Sequence, residues 1–332
     1  MAFLLPPRQL SYTDAERSIG FELEYASVDI PTVARIVQRV FGGEIIEESS
    51  FSWKVEHPRL GHFSIEIDTS ILKEKQYIKP LRALGLELSE LESPVVEHSL
   101  LSVFSLLAPF AFTTPPLPLR EAARVEELRA QLRSAGAAGT GASLCYAFGL
   151  HLNVEVASFD VKYLLNILRA FIILYPELME RERIDSTRKI THYINPFSRG
   201  FVRLIINPQY RPTMASFVRD YLRWNPSRNR PLDMLPIFAL HHGEQIRSDG
   251  QDARLIKARP AFHYRLPNCS VDAPEWRIAH AWNNWVLIER LAERQEDLDD
   301  LGERYLAAME DERLEHLWEQ HLSDNVGRRL SP

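Results

Sequence analysis

Residues 19–25 read Ile-Gly-Phe-Glu-Leu-Glu-Tyr, and residues 148–156 read Phe-Gly-Leu-His-Leu-Asn-Val-Glu-Val. Side chains two apart on a β-strand share a face. The first stretch therefore sets Ile19, Phe21, Leu23 and Tyr25 against Glu22 and Glu24 on the other side. The second sets Phe148, Leu150, Leu152 and Val154 against His151, Asn153 and Glu155. Further strands repeat the pattern: Phe63, Ile65 and Ile67 oppose Ser64, Glu66 and Asp68, and Phe262, Tyr264 and Leu266 oppose His263 and Arg265. Phe201 to Ile206 reads as another strand and adds Arg203 more weakly, because Ile205 shares its face.

A solvated sheet face is the plain alternative. Such faces favour Thr, Lys, Ser and Arg, however, and two like charges at i and i+2 repel. Glu22 with Glu24, and Glu66 with Asp68, are each unfavourable unless a cation lies between them. Paired carboxylates with one imidazole make an oxygen-rich site that suits Mg²⁺ or Mn²⁺ better than a dedicated zinc cage. Arginines on neighbouring strands would face the phosphates that such metals hold. The constellation reads as a metal–nucleotide site on a sheet face.

The remaining chain supplies a helical layer. Pro31 opens a periodic helix that Gly42-Gly43 stops, and a Pro58–Gly61 turn joins two strands, at 52–56 and 62–68. Residues 72–107 read as mainly helical, 121–134 as a charged, exposed helix, and 161–183 as a long helix. A helix around 213–224 and two closing helices, about 276–296 and 299–322, follow. Trp282 and Trp285 share a helix with Ile278 and Ile288 and read as core. Gly136 to Gly141 reads as a small-residue turn; it lacks the Lys-Ser/Thr ending of a phosphate-binding loop. The fold class is α+β with a mainly antiparallel sheet.

Composition narrows the class. In 332 residues the hydrophobic fraction is 45% and the charged fraction 25%, which is globular. A net charge of −6 argues against a nucleic-acid binder, whose affinity rests on neutralising phosphates. Two cysteines, Cys145 and Cys269, exclude a disulfide framework, and the chain reads as cytoplasmic. The N-terminal segment has neither the length nor the basic region of a secretory signal. The uncharged stretch 99–119 could span a bilayer by length, but Pro115, Pro116 and Pro118 rule out a spanning helix. It reads instead as a helix ending near Leu107, then a short strand and a Pro-rich turn.

Four segments, GFELEYASVD (20–29), RSAGAAGTGASLCYAFGLHLNVE (133–155), YLRWNPSRNRPLDMLPIF (221–238) and KARPAFHYRLPNC (257–269) with WRIAHAWNNWVLIERLA (276–292), resemble the amidoligase family. These are carboxylate–amine ligases with a glutamine-synthetase-like fold. The resemblance runs from about Arg17 to Glu293. It implies an N-terminal arm over 1–16, a catalytic domain over 17–297 and a helical extension over 298–332. It further implies a curved sheet with helices on its convex side and with ATP and Mg²⁺ (or Mn²⁺) on the concave face.

The implied reaction phosphorylates a substrate carboxylate with ATP, and an amine then displaces phosphate from the acyl phosphate. Glu22 and Glu24 would hold metal, with Glu66 beside them; His151 would touch the metal and the nucleotide. Asn153, Arg203, Lys257 and Arg259 would face ATP, and Arg265 would clamp the transferring phosphoryl group. Asp68 matches, loosely, a carboxylate that helps deprotonate the amine. Arg228 and Arg230 are substrate-binding candidates, although such runs also brace loops. Segments 225–230 and 243–250 are candidate lids. The implied partners are a small-molecule or peptide carboxylate and an amine, sometimes with a glutamine amidotransferase beside them, and neither nucleic acid nor membrane. The chain departs from the family pattern at Ala111 and His263, where carboxylates are usual; Glu275 is close enough in sequence to replace the second. The alternatives are a catalytically degraded nucleotide-binding scaffold of the same fold and, more weakly, a metal-dependent nuclease using Glu22, Glu24 and Asp68.

Overall fold

The computed structural model describes residues 2–67, 110–140, 148–184, 194–249 and 256–310. Its frame is an antiparallel sheet that does not close into a barrel, with order β2-β3-β4-β5-β1-β7-β9-β8 and β6 pairing β1. The strands are β1 (Ser18–Tyr25), β2 (Glu44–Ser49), β3 (Ser52–His57), β4 (Gly61–Ile67), β5 (Phe110–Thr113), β6 (Leu117–Pro118), β7 (Leu150–Glu155), β8 (Leu232–Asp233) and β9 (Ala261–Tyr264). The α+β class and the strands expected around Glu22, Glu66, His151 and His263 are all present.

Alternation decides which face is covered. Phe21, Leu23, Leu152, Val154, Phe262 and Tyr264 are fully or almost fully buried. The helices pack on this face. Helix α1 (Ile30–Phe41) starts at Pro31 with Asp29 accepting the Thr32 N–H, and its Phe41 ring meets Phe63 at 4.7 Å. Helix α4 (Val161–Arg181) is capped by Asp160, and its Phe171 lies edge-on to Tyr264. Helix α8 (Ile278–Ala292) lays Trp285 against both Phe262 and Tyr264. Trp282 and Trp285 are buried core residues, as their helical spacing predicts.

Helices α2 (Leu119–Ala122) and α3 (Val125–Ser134) replace the single exposed helix expected over 121–134. The inner face of α3 buries Val125, Leu128 and Leu132, and Arg129 is buried with them, so the helix is not the fully exposed one expected. Helices α5 (Arg199–Ile206), α6 (Met214–Trp224), α7 (Leu235–Asp249) and α9 (Gln295–Ala308) complete the described layer.

Helix α5 is a correction. FVRLII forms a helix, capped by the Ser198 hydroxyl accepting from Phe201 N–H, and it buries Phe201, Val202, Ile205 and Ile206 at helical spacing. Arg203 consequently belongs to the helical layer, where it reaches the Met309 carbonyl at 3.5 Å. The candidate lid 243–250 is also corrected as far as Asp249, since these residues continue α7 beyond a kink at His242. The helices expected over 72–107, the end of the 299–322 helix and Asp68 fall outside the described residues. Among the described residues, no helix is long and apolar enough to cross a membrane.

Turns are set locally. Gly61 closes the β3–β4 hairpin at φ +98°, a conformation that a Cβ disfavours. Gly139 is packed so closely on the 269–272 loop that an added Cβ would lie 2.6 Å from the Cys269 carbonyl oxygen.

Candidate active site on the polar face

The register gathers the polar side chains into neighbouring files across the sheet. One file runs Ser64, Thr113, Glu22, His151, each directly opposite the next. A second runs Gly20, Asn153, His263, Asp233. A third runs Glu66, Ala111, Glu24. Because β1 is central, its Glu-x-Glu alternation delivers both carboxylates into the middle of this face.

Glu22 is the hub. Its Oε2 lies 3.1 Å from His151 Nδ1, and its Oε1 accepts the Asn153 amide at 2.7 Å. Burial alone would raise its carboxyl, but the His151 hydrogen bond and the nearby positive charge of Arg259 hold it well below the usual carboxylate range. Glu24 Oε2 accepts the Gly149 N–H at 2.7 Å, and its Oε1 stands 4.0 Å from His151 Nε2.

His263 and Asn153 form the second shelf. Asn153 Oδ1 accepts from Arg259 Nη2 at 2.6 Å and lies 2.6 Å from His263 Nδ1, which fixes the amide orientation. The His151 and His263 rings meet edge to face at 5.1 Å. Burial first, and Arg265 next, keep the His263 imidazole neutral, well below its ordinary value. His263 Nδ1 also lies 3.0 Å from Arg259 Nη2, so the neutral ring keeps its lone pair on Nε2 when Nδ1–H is given to Asn153 and on Nδ1 when Nδ1 accepts from Arg259.

These donors fit a divalent cation. One ligand atom from each of Glu22, His151 and His263 lies within 4.8 Å of the others. When Nδ1–H of His151 points to Glu22, its Nε2 lone pair stands 4.0 Å from Glu24 Oε1. That is close to twice a metal–ligand bond of about 2.1 Å. Two imidazoles beside carboxylates suit Mn²⁺ better than Mg²⁺, which prefers an all-oxygen shell. Of the metal ligands expected from sequence, Glu22, Glu24 and His151 meet here. Glu66 shares the face but is exposed and separated from Glu24 by Ala111, and His263 enters the cluster in its stead.

The cations lie on the β9 side. Arg259 is half-buried, with one nitrogen on Asn153 and a buried Nε that has no hydrogen-bond partner among the described residues. Arg265 stands in the field of Asp233, with Arg228, Glu22 and Glu24 also close enough to act on it. Lys257 is exposed on the segment before β9 and makes no hydrogen bond or ion pair among the described residues. Arg230 is a loop brace, donating to the carbonyls of Asn195, Pro196 and Trp224. Buried Asn225 caps the Tyr221 carbonyl, so segment 225–230 is tied at both ends.

Asp233 is the residue sequence reasoning missed. It is 2% exposed, stands opposite His263, and accepts the Leu235 N–H at 2.9 Å. Burial pushes its carboxyl up to about 6, against the opposing pull of Arg265, the Leu235 N–H, Arg259 and Arg228. The signal was faint: a lone Asp between Leu232 and Met234, in a strand of two residues.

The fold and face together define an α+β protein with a Glu–His–His cluster that could hold a cation, set beside arginines. A family model described as "Putative amidoligase enzyme" matches residues 15–287, and the chain belongs to that family, which points to a ligase-type enzyme. No curated protein and no solved structure matches the chain.

Proposed function

We propose that the protein is an ATP-dependent carboxylate–amine ligase that forms an amide bond through an acyl phosphate. The observation that carries this reading is the Glu22–His151–His263 cluster placed beside Arg259 and Arg265 on one sheet face. Phosphoryl transfer demands positive charge against the transferring oxygens more than it demands a nucleophilic side chain.

A divalent cation held by Glu22, Glu24, His151 and His263 would supply charge neutralisation of the polyphosphate. Arg259 offers its unpartnered Nε to a phosphate oxygen while Asn153 fixes its other end. Arg265, oriented beside Asp233, clamps the phosphoryl group as it passes to the substrate carboxylate. Neutral His263 contributes a lone pair, and the low-lying carboxyl of Glu22 stays ionised throughout. The amine then attacks the acyl carbon, the C–N bond forms, and phosphate leaves with the C–O bond.

The test is thermal unfolding with ATP, with and without Mn²⁺ or Mg²⁺, for the unaltered protein and Glu22→Gln. Binding to the native state raises apparent stability by mass action. A divalent-dependent ATP shift, larger with Mn²⁺ and absent in Glu22→Gln, is the expected result, followed by ADP release with a carboxylate–amine pair. No shift with any nucleotide, together with no ADP from any pair, would overturn the reading. Ala111, bare between Glu24 and Glu66, favours one second reading, a degraded nucleotide-binding scaffold. ATP binding without turnover in the unaltered protein, and turnover gained in Ala111→Glu, would select it.

A further inference from the structure

A cavity of about 700 Å³ opens on the helical side of the sheet, between the C-terminal end of α4, helix α8 and the loop after β9. Its floor is polar and rigid. Asn268, 6% exposed, donates to the carbonyls of Glu182 and Arg183, at 3.3 and 3.0 Å. Asn284, equally buried, donates to Glu182 Oε1 at 2.7 Å. One wall is apolar, with Trp276 and Leu287 among its lining.

The mouth holds Arg183 in a conformation its side chain disfavours. Helix α4 ends in a Schellman arrangement: Ile184 N–H reaches the Met179 carbonyl and Arg183 N–H reaches that of Glu180. The residue in the left-handed position of that motif is usually Gly, yet here it is Arg183 at φ +46°. A guanidinium placed where Gly would fold more cheaply points to use of the side chain. Arg183 is itself one of the lining residues, together with His280. Of the other lining charges, Arg181 pairs with Glu177 and Glu182 accepts from Asn284, while Arg290 adds a second cation and Glu275 is an exposed carboxylate on the rim.

We propose that this cavity binds a small organic anion, its carboxylate or sulfonate group held by Arg183 and its apolar body laid against Trp276 and Leu287. Arg183 makes no hydrogen bond or ion pair through its guanidinium among the described residues, so its donors are available to such a group. Asn268, which floors the cavity, also bridges Gly149, whose N–H holds Glu24. The cavity therefore backs onto the anchored end of the active-site face while remaining a separate site.

The test titrates the full chain with 8-anilino-1-naphthalenesulfonate, followed by fluorescence, and displaces it with octanoate or octanol. The expected result is saturable binding displaced by octanoate and not by octanol. Arg183→Gly should weaken binding by about tenfold or more, while its thermal midpoint stays the same or rises because the strained position is relieved. Arg183→Lys should keep much of the affinity. Undiminished binding by Arg183→Gly, displacement by octanol as effective as by octanoate, or no saturable binding would each overturn the proposal.

Discussion

Asn153 Nδ2 donates to Glu22 Oε1 at 2.7 Å along a diagonal of the β1–β7 ladder. The residue directly opposite Asn153 is Gly20, and a Cβ there would lie 3.4 Å from the Asn153 Cβ. The missing side chain leaves room for the amide to lean toward Glu22 and to present Oδ1 to Arg259 and His263. One neutral group thus bridges an anion and a cation.

Asn153→Leu removes that spacer at similar volume. Glu22 loses a donor, and Arg259 and His263 lose the shared Asn153 acceptor in a largely buried setting, keeping only their mutual contact at 3.0 Å. Leaving such groups unsatisfied costs about 2–4 kcal/mol in total, measurable by urea unfolding in chelator. A loss below about 1 kcal/mol would show that the file is not held together through Asn153.

Asp233 makes metal-free stability depend on pH in an unusual direction. Its folded carboxyl is raised from 3.8 to about 6, so between those values the native state binds more protons than the unfolded chain. Stability from this group is fully present below about pH 4 and is lost as pH rises through about 6. The loss is roughly 3 kcal/mol. Asp233→Asn should therefore gain on the unaltered protein as pH rises from 4 to 7, with the difference level above that. Paired denaturation curves that differ by the same amount at every pH would contradict this origin.

Arg17 and Glu289 form an ion pair with both side chains essentially inaccessible, at 2.7 Å, and Trp285 Nε1 also donates to Glu289. Arg17 further ties the carbonyls of Glu155 and Arg8 to this point, joining arm, sheet and helix α8. Removing one partner strands a buried charge, so Glu289→Leu should cost about 3–5 kcal/mol. The double variant Arg17→Met/Glu289→Leu should recover much of that. Chemical denaturation of the unaltered protein, Glu289→Leu, Arg17→Met and the double variant completes the cycle, and equal losses in single and double variants would refute it.

What was legible from sequence was legible for a physical reason. β1, β4, β7 and β9 alternate because one face is buried and the other polar, so Glu22, Glu24, Glu66, His151 and Asn153 could be assigned to one face directly. The segment 201–206 defeated the same logic, since a run with only Arg203 polar fits either period. The decisive sign lay one turn earlier, in Ser198 as a cap. β8 is too short to show any period, so Asp233 had no pattern to join. His263 read as a departure from a family carboxylate, and only the register with Asn153 shows that it stands within ligand distance of Glu22.

Ala111 offers the sharpest test of whether this face is built for a cation. Its Cα is opposite both Glu24 and Glu66, so Ala111→Glu would put a third carboxylate directly between two others. Like charges on adjacent strands repel, costing about 0.5–1 kcal/mol for each neighbour. In chelator the variant should melt below the unaltered protein. Mn²⁺ should reverse the order, because an added carboxylate raises divalent affinity and binding stabilises only the native state. The measurement is a pair of Mn²⁺ titrations read by thermal unfolding. A variant that is destabilised in chelator and stays equally destabilised at saturating Mn²⁺ would mean that the carboxylate file does not converge on a cation.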